Sequence, residues 1–375
     1  MKEIYFVDSS YSPTAASTNR LFAFGNALIR KGIKVHFFYL FPDKFHSKSD
    51  RYEDVFTFHY LWEGSLFTGK YISTILSARK LYRQMKSDVP VYVYASLNCL
   101  YFLRQKKGVR LYHEYTENPE IIGKLHGLLG LFLFSLYKKA VKKIDGLFVI
   151  TPALRDYYIE RIGVNPEKIE ILNMVVDKTR FEGIYNLAPL KIITYCGIIS
   201  EYKDGVSILI NAFFNISKKY PQYKLQLVGN FENEKTESSI RNLINRLGLN
   251  DRVLLPGLIS PSKMPYVLKS SEIVVLTRPD NIQAKYGFAT KIGEYLMSER
   301  PVIMTKVGNV DNYLTDMQDV IFAKPNDVED FSRKMEWTID NNCKASIIGC
   351  NGKEVALRSF NADIEAEKIF NRIFV

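Results

Sequence analysis

Lys191-Ile-Ile-Thr-Tyr-Cys-Gly-Ile-Ile-Ser-Glu-Tyr-Lys-Asp-Gly-Val-Ser207 decides the fold. Lys191–Tyr195 reads as a strand, Cys196-Gly197-Ile-Ile-Ser200 as a turn, and Lys203-Asp-Gly-Val-Ser207 as the way into a helix. Strand, glycine turn and helix in that order form the repeating step of a parallel α/β sheet. The step recurs on both sides of this stretch. Before it, strand candidates at Ile4–Asp8, Val35–Leu40, Val91–Tyr94, Val109–Tyr112, Leu147–Thr151 and Ile169–Leu172 alternate with helical patterns. Those helices fall at Asn19–Lys31, Ile75–Met85, Gly123–Lys143 and Pro152–Arg161. After it, strand candidates at Lys224–Val228, Val253–Leu255, Ile273–Leu276, Val302–Met304 and Val320–Phe322 alternate with helices at Gly205–Tyr220, Ser238–Leu247, Pro261–Lys269, Lys291–Ser298, Val328–Asn341 and Asp363–Phe374.

The polar stretch Asp177–Leu190, which contains Pro189, is the linker candidate. The expected organisation is two doubly wound, Rossmann-like domains, 1–182 and 183–358. Residues 359–375 are expected to form a helix packing back on the first domain. Domains of this kind bind ligands at the carboxyl ends of their strands, which predicts a central cleft between the two.

The chain has 375 residues, of which 47% are hydrophobic and 24% charged, enough apolar material for two cores. Glu3 and Asp8 near the start argue against a secretory signal. The longest largely apolar run, Gly127–Tyr137, is far short of the roughly 20 residues that span a bilayer. Cys99, Cys196, Cys343 and Cys350 have no metal-ligand spacing, so a reduced, cytoplasmic chain is expected. The net charge of +11 is uneven: residues 1–185 hold 27 Lys+Arg and 18 Asp+Glu, net +9, and the remainder 24 and 22, net +2. The first half therefore faces something anionic. Its basic residues form no stripe with interleaved aromatics, which argues against nucleic acid.

Lys203 and Glu294 each sit at a strand-to-helix turn of the second half. One cation and one carboxylate so placed suit a ligand that carries both phosphates and a ribose. Charge that builds on a leaving diphosphate is stabilised by a fixed cation and by backbone N–H groups at a helix start. Lys203 is the cation, and the amides of Gly287 to Thr290 are the helix-start donors. Glu294, flanked by Ile292, Leu296 and Met297, can accept two hydrogen bonds from a vicinal diol. Taken alone, Lys203 reads as a solvated loop lysine and Glu294 as a surface glutamate; their surroundings reverse both readings. Lys291 has two readings, a phosphate contact or a partner of Glu294.

From about residue 90 onward the chain resembles the retaining glycosyltransferases of the GT-B fold, family 4 (glycosyl transferases group 1). Five motifs in order carry the resemblance: Ile171-Leu-Asn-Met-Val-Val-Asp-Lys-Thr-Arg-Phe181; Gly197 to Lys203 with Gly205; Leu227-Val-Gly229; Val253-Leu-Leu-Pro-Gly257; and Glu294-Tyr-Leu-Met-Ser-Glu-Arg-Pro-Val-Ile303. The first is one residue longer than the family's pattern and lacks its glycine. Two further departures stand out. Tyr286, in Tyr286-Gly-Phe-Ala289, replaces the first of two glutamates, and Ile198 replaces a frequent arginine. Lys291-Ile-Gly-Glu-Tyr-Leu296 fits a branch with Lys-x-x-Glu-Tyr-Leu.

The resemblance implies a hexosyltransferase-type enzyme of envelope polysaccharide synthesis. It would take a nucleoside-diphosphate sugar as donor and a glycan or lipid-linked glycan as acceptor, with no metal and no cofactor. It assigns donor binding to Gly197, Lys203, Gly229, Gly257, Tyr286, Gly287, Phe288, Ala289, Thr290, Lys291 and Glu294, and catalytic roles to Lys203 and His113. His113 is expected to end the strand Val109–Tyr112 and face the sugar, with Glu114 and Glu117 as rivals for an acceptor pocket. Asn19 is a further acceptor candidate or a helix cap. An epimerase of the same fold and a non-catalytic two-domain sugar-binding protein remain as alternatives.

The segment from Ile121 to Lys143 has two readings as well. An apolar stretch ending in Lys138, Lys139, Lys142 and Lys143 suits peripheral contact with an anionic membrane surface, at the inner face of the cytoplasmic membrane. It equally suits a buried helix with a basic C-terminal end.

Overall fold

The structure, a computed structural model, describes residues 2–12, 15–40, 55–61, 70–94, 100, 103–104, 108–120, 127–185 and 187–375. The chain divides into two compact units, residues 1–175 with 362–375, and residues 176–361. The first crossing falls at Val175/Val176, against the boundary at 182 read from the sequence.

Among the described residues, seven parallel strands form the sheet of the first unit: β1 (Glu3–Asp8), β2 (Lys34–Tyr39), β3 (Thr57–Tyr60), β4 (Val91–Tyr94), β5 (Leu111–Tyr115), β6 (Gly146–Val149) and β7 (Ile169–Ile171). Their spatial order is β3-β2-β1-β4-β5-β6-β7, so the direction of winding reverses between β1 and β4. Parallel strands covered on both faces read as near-continuous apolar runs, and β1, β4 and β6 do so. The core is aromatic: Phe6 stacks on Phe37 with ring centroids 5.3 Å apart, and Tyr92 meets Phe6 edge-on at 5.0 Å. Ala366, Ile369 and Ile373 of the last helix, Ala362–Phe374, belong to the same core.

The second unit has a six-stranded parallel sheet of order β10-β9-β8-β11-β12-β13. Its strands are β8 (Leu190–Cys196), β9 (Lys224–Val228), β10 (Val253–Gly257), β11 (Ser271–Leu276), β12 (Val302–Thr305) and β13 (Ile321–Ala323). Here the winding reverses between β8 and β11. Both units are Rossmann-like, and the alternation legible in the sequence accounts for them.

Several elements depart from the sequence reading. The edge strand β3 was not anticipated, because four residues between long stretches give too short a pattern. The first helix runs Ala16–Arg30, which places Asn19 in its first turn with its N–H bonded to the Ala15 carbonyl at 3.2 Å. Asn19 is therefore not the cap. The 18-residue helix Asn342–Ser359 was also missed. Last, β5 starts and ends later than Val109–Tyr112, so His113 and Glu114 lie within a central strand rather than beyond it.

That shift puts a charge in the interior, and the interior answers it. Glu114 Oε1 accepts from Arg20 Nε at 2.7 Å, and Oε2 accepts from the Tyr92 hydroxyl at 2.6 Å. Arg20 donates onward to the carbonyls of Asn173 (2.6 Å) and Leu172 (3.0 Å). Both side chains of the ion pair are buried. Every strong group in the cluster has a partner, so Glu114 is a tie between β4, β5 and the first helix rather than an acceptor contact. Breaking a buried pair on one side leaves an uncompensated charge and costs about 3–5 kcal/mol. Glu114→Gln is therefore expected to lower the stability of the first unit by that order, read as faster hydrogen exchange at the β4 and β5 amides. Exchange rates in the second unit stay unchanged.

Candidate functional site

In an open parallel sheet the reversal of winding opens a crevice at the carboxyl ends of the strands. In the second unit that point lies between β8 and β11, and the turn that follows β8 holds Gly197 and Lys203. Ser200 caps the short helix Glu201–Asp204 by accepting the Lys203 N–H at 3.1 Å, and it donates to Glu232 Oε2 at 2.9 Å. Lys203 itself is half-buried. Thr277, just past β11, donates to the Asp204 carbonyl at 2.8 Å and pins this helix to the neighbouring strand end.

Asp204 is the hub. Its Oδ2 lies 2.5 Å from Lys291 Nζ and 2.6 Å from the Tyr195 hydroxyl. Burial pushes this carboxyl up, but the Lys291 charge, hydrogen bonds from Lys291 and Tyr195 and the charge of Arg278 outweigh burial and hold it below its ordinary range. Lys291 therefore pairs with Asp204, not with Glu294. Its ammonium lies 4.7 Å from the Tyr195 ring centroid. A Cβ on Gly197 would stand 2.3 Å from Nζ, so a side chain there would expel the lysine. Gly229 has a different constraint: its Cβ would sit 1.9 Å from the Gly197 carbonyl oxygen, and the two strand-end turns touch through bare backbone. Beside them Gly229 and Gly257 line a cavity of about 490 Å³, with Ile199, Phe231, Glu237 and Arg241 on its walls.

Glu294 lies one turn beyond Lys291 on the helix Lys291–Met297. Arg180 binds its Oε1 and donates to the Pro261 carbonyl at 2.8 Å. Sequence reasoning missed Arg180 by treating Asp177–Leu190 as a linker. The available signal was Asp177-Lys-Thr-Arg-Phe181: Asp177 caps a 3₁₀ turn through the Thr179 N–H at 3.0 Å, and Phe181 is buried, which fixes Arg180 between them.

The remaining donor candidates divide. Tyr286 is half-buried with Lys285 over its ring at 5.4 Å, and Thr290 is half-buried at the helix start. Phe288 packs on Tyr313 and Phe360, and Ala289 is buried beside it. Gly287 is extended (φ −101°, ψ 168°), and its N–H closes the preceding helix on the Gln283 carbonyl at 2.9 Å. Its amide is therefore not an available helix-start donor, and its conformation does not require glycine.

In the first unit His113 is fully buried, 0% exposed, with Nδ1 2.7 Å from the Val93 carbonyl. Burial pushes the imidazole down to about 4, so it is neutral, with its Nδ1–H donated to Val93. The ring packs edge-on against Tyr137, with centroids 5.8 Å apart, and is not exposed to face a sugar, against its expected place. Glu117 lies two residues past β5 and is half-buried. Asp8, which ends β1 next to Tyr94 of β4 and so marks the reversal point of this sheet, was read in the sequence only as a charge. Its residue is 5% exposed, Oδ1 accepts the Ser9 N–H at 2.6 Å, and the Ser17 hydroxyl lies near enough to favour the charged form slightly. Burial pushes it up to about 7. Among the described residues, no group of three or more His, Cys, Asp or Glu is arranged to hold a metal ion, and no helix is long and apolar enough to cross a membrane.

Residues 179–355 match the family described as Glycosyl transferases group 1, and residues 18–180 match Glycosyltransferase Family 4. Mannosylfructose-phosphate synthase of Agrobacterium fabrum is 23% identical over 210 residues, 52% of this chain. The matched part spans 45% of that relative, less than half its length. Among solved structures, sucrose-phosphate synthase from Thermosynechococcus elongatus superposes with a TM-score of 0.80 at 16% identity, covering 99% of this chain and 98% of that one. HepE of Anabaena, in complex with UDP and glucose, superposes at 0.77 with 16% identity and 99% coverage of both. The two family matches and this fold together support a GT-B glycosyltransferase.

Asp8 provides a test of the first unit's strand-end geometry. A carboxyl whose folded value lies above its unfolded value of 3.8 holds its proton more tightly when folded. Its contribution to stability is full below about pH 4 and is lost as pH rises toward 7, by an amount on the order of 4 kcal/mol at most. Asp8→Asn is expected to remove this loss. Exchange at the β1 and β4 amides, compared at pH 5.5 and 8, then shows a wild-type destabilisation at pH 8 that the variant lacks. Equal pH dependence in both proteins would place Asp8 in a solvated setting.

Proposed function

We propose that this chain transfers a hexosyl group from a nucleoside-diphosphate sugar, held by the second unit, to a glycan or lipid-linked glycan of an envelope polysaccharide, with retention of configuration. The observation that carries this reading is the strand-end turn Gly197–Lys203. There bare backbone, a lysine and the Asp204–Lys291 pair converge at the winding reversal of the second sheet. The nucleotide and sugar in the HepE complex support a donor of the same class on the shared fold. The acceptor assignment rests on family likeness and on the net charge of +9 over residues 1–185.

Chemically, the bond from the anomeric carbon to the diphosphate breaks with negative charge building on the leaving oxygens. In this reading Lys203 faces those oxygens and supplies positive charge there. The pair Lys291–Asp204 is neutral as a whole, so its role is to hold the Glu201–Asp204 helix, and Lys203 with it, against the end of β11. Glu294 keeps acceptor capacity beyond its bond to Arg180, since a carboxylate takes about four hydrogen bonds, and can receive the ribose diol. Arg180 fixes its direction. No metal enters this scheme.

The direct test is incubation with a panel of nucleotide sugars, with and without glycan acceptors, and measurement of free nucleoside diphosphate. Acceptor-dependent release supports transfer, whereas conversion of the donor to an epimer with no release points to the epimerase. Lys203→Ala is expected to lower turnover about a hundredfold or more, as loss of one transition-state contact does, with the fold intact by circular dichroism. Wild-type turnover in that variant would remove Lys203 from the mechanism. Turnover is also expected to survive EDTA; loss that Mg²⁺ or Mn²⁺ restores would mean a metal-bridged diphosphate instead.

A further inference from the structure

The helix Gly127–Val141 turns its large apolar side chains outward. Leu128 is 88% exposed, Leu131 and Phe132 are 59% exposed, and Leu129 is 47% exposed, while Gly130, Tyr137, Ala140 and Val141 are the buried positions. Single exposed apolar residues are ordinary, but four within five positions form a patch. Leu128, Leu131 and Phe132 stand at i, i+3 and i+4, so they share one stripe of the helix. Continued by the same spacing, that stripe passes through Ser135 and reaches Lys139 and Lys142. Lys139, Lys142 and Lys143 are exposed, and Lys138 lies with its ammonium 5.0 Å over the Phe134 ring. Between Glu120 and Asp145 the sequence has no acidic residue. One stripe thus joins an apolar half to a basic half.

We infer that this face docks on an anionic lipid surface, with Leu128, Leu131 and Phe132 in the acyl boundary and Lys139, Lys142 and Lys143 among the headgroups. An apolar patch alone would suit a second copy of the chain equally well. The adjoining cations choose the partner: an identical face, with no acidic residue between Glu120 and Asp145, offers them no counter-charge, whereas anionic headgroups neutralise them. The sequence left open whether this segment was a core helix, and the exposure of its first two turns excludes that alternative for the described residues. The inference gives the proposed lipid-linked acceptor a surface at which to be met and depends on that reading for its purpose, not for its residues.

The test uses the full chain and vesicles of phosphatidylcholine with or without phosphatidylglycerol, read by co-sedimentation at low and high salt, with nucleoside-diphosphate binding measured on the same samples. Wild type is expected to bind the anionic vesicles at least tenfold more tightly than neutral ones, and less tightly as salt rises. L131E/F132E is expected to lose at least tenfold in vesicle affinity with unchanged nucleoside-diphosphate binding. Phe132→Trp, a milder change, is expected to show a blue-shifted emission on vesicles that brominated lipid quenches. Absence of co-sedimentation at low salt overturns the inference. So does binding that L131E/F132E leaves intact, or a concentration-dependent dimer abolished by that variant without any vesicle binding. Loss of nucleoside-diphosphate binding in wild type would count against the donor site and leave the docking face standing.

Discussion

The ion pair between Lys291 and Asp204 is the contact on which the second unit's strand-end geometry depends. Asp204 is buried where desolvation penalises its charge, and without a cation it would take up a proton or move. With Lys291 against it, the carboxylate stays ionised and can orient the Tyr195 hydroxyl, and the helix Glu201–Asp204 is held to the end of β11. The pair needs space that only a missing side chain provides, so Gly197 follows from it, and the Gly197–Gly229 contact then sets the distance between the ends of β8 and β9. Sequence neighbours of the pair are thereby placed as well. Lys203 precedes Asp204, and Glu294 follows Lys291 by one turn. Two residues 91 positions apart in the chain are fixed by a contact that neither makes itself.

The first unit meets the same demand in another way. Arg20 and Glu114 form its buried pair, and each of their strong hydrogen-bonding groups finds a partner among Tyr92, Leu172 and Asn173. That network binds the far end of the unit's own chain, just before the crossing at Val175. Nearby, Glu365 of the last helix accepts the Asn173 N–H at 2.9 Å and is itself buried, with Lys368 as counter-ion. Asp8 is compensated less fully, a buried carboxyl at the reversal point of the sheet with no cation beside it among the ion pairs of the described residues. Burial disfavours a charge that has no counter-ion, and the carboxyl therefore holds its proton to higher pH. The two units thus share an architecture, and each ties a buried carboxylate to a cation, Glu114 to Arg20 and Asp204 to Lys291.

Much of the architecture was legible because parallel strands buried on both faces announce themselves as apolar runs, and Ile4–Asp8, Val91–Tyr94 and Ile273–Leu276 are such runs. What was lost was lost for local reasons. Asn342–Ser359 contains Gly349 and Gly352, which weaken a helix pattern read in isolation. In the fold a Cβ on Gly349 would lie 2.6 Å from the Arg300 carbonyl carbon, and one on Gly352 2.7 Å from the Asp319 carbonyl oxygen. The glycines serve tertiary contact, and contact overrides propensity. In β5 the error was one of bounds. A strand that starts two residues later and ends three later carries His113 and Glu114 from a presumed loop into the interior, and their reading as ligand contacts goes with it. The Lys291–Asp204 pair spans 87 residues, so no local window of sequence contains it.

The helix Gly127–Val141 shows a deeper limit of periodicity. A pattern argument assigns the large apolar side chains to the buried face and the small or polar ones to solvent. Here the buried positions are glycine, tyrosine, alanine and valine, and leucine and phenylalanine point outward. The packing explains the inversion: Tyr137 hydrogen-bonds Tyr158 and sits edge-on to His113, a polar-aromatic interior in which a row of leucines would leave the Tyr158 hydroxyl without this partner. What the sequence records as hydrophobicity is the sum of two environments, a protein core on one side and whatever covers Leu128, Leu131 and Phe132 on the other. Only the coordinates separate them, because the residues facing each environment alternate along the same two turns.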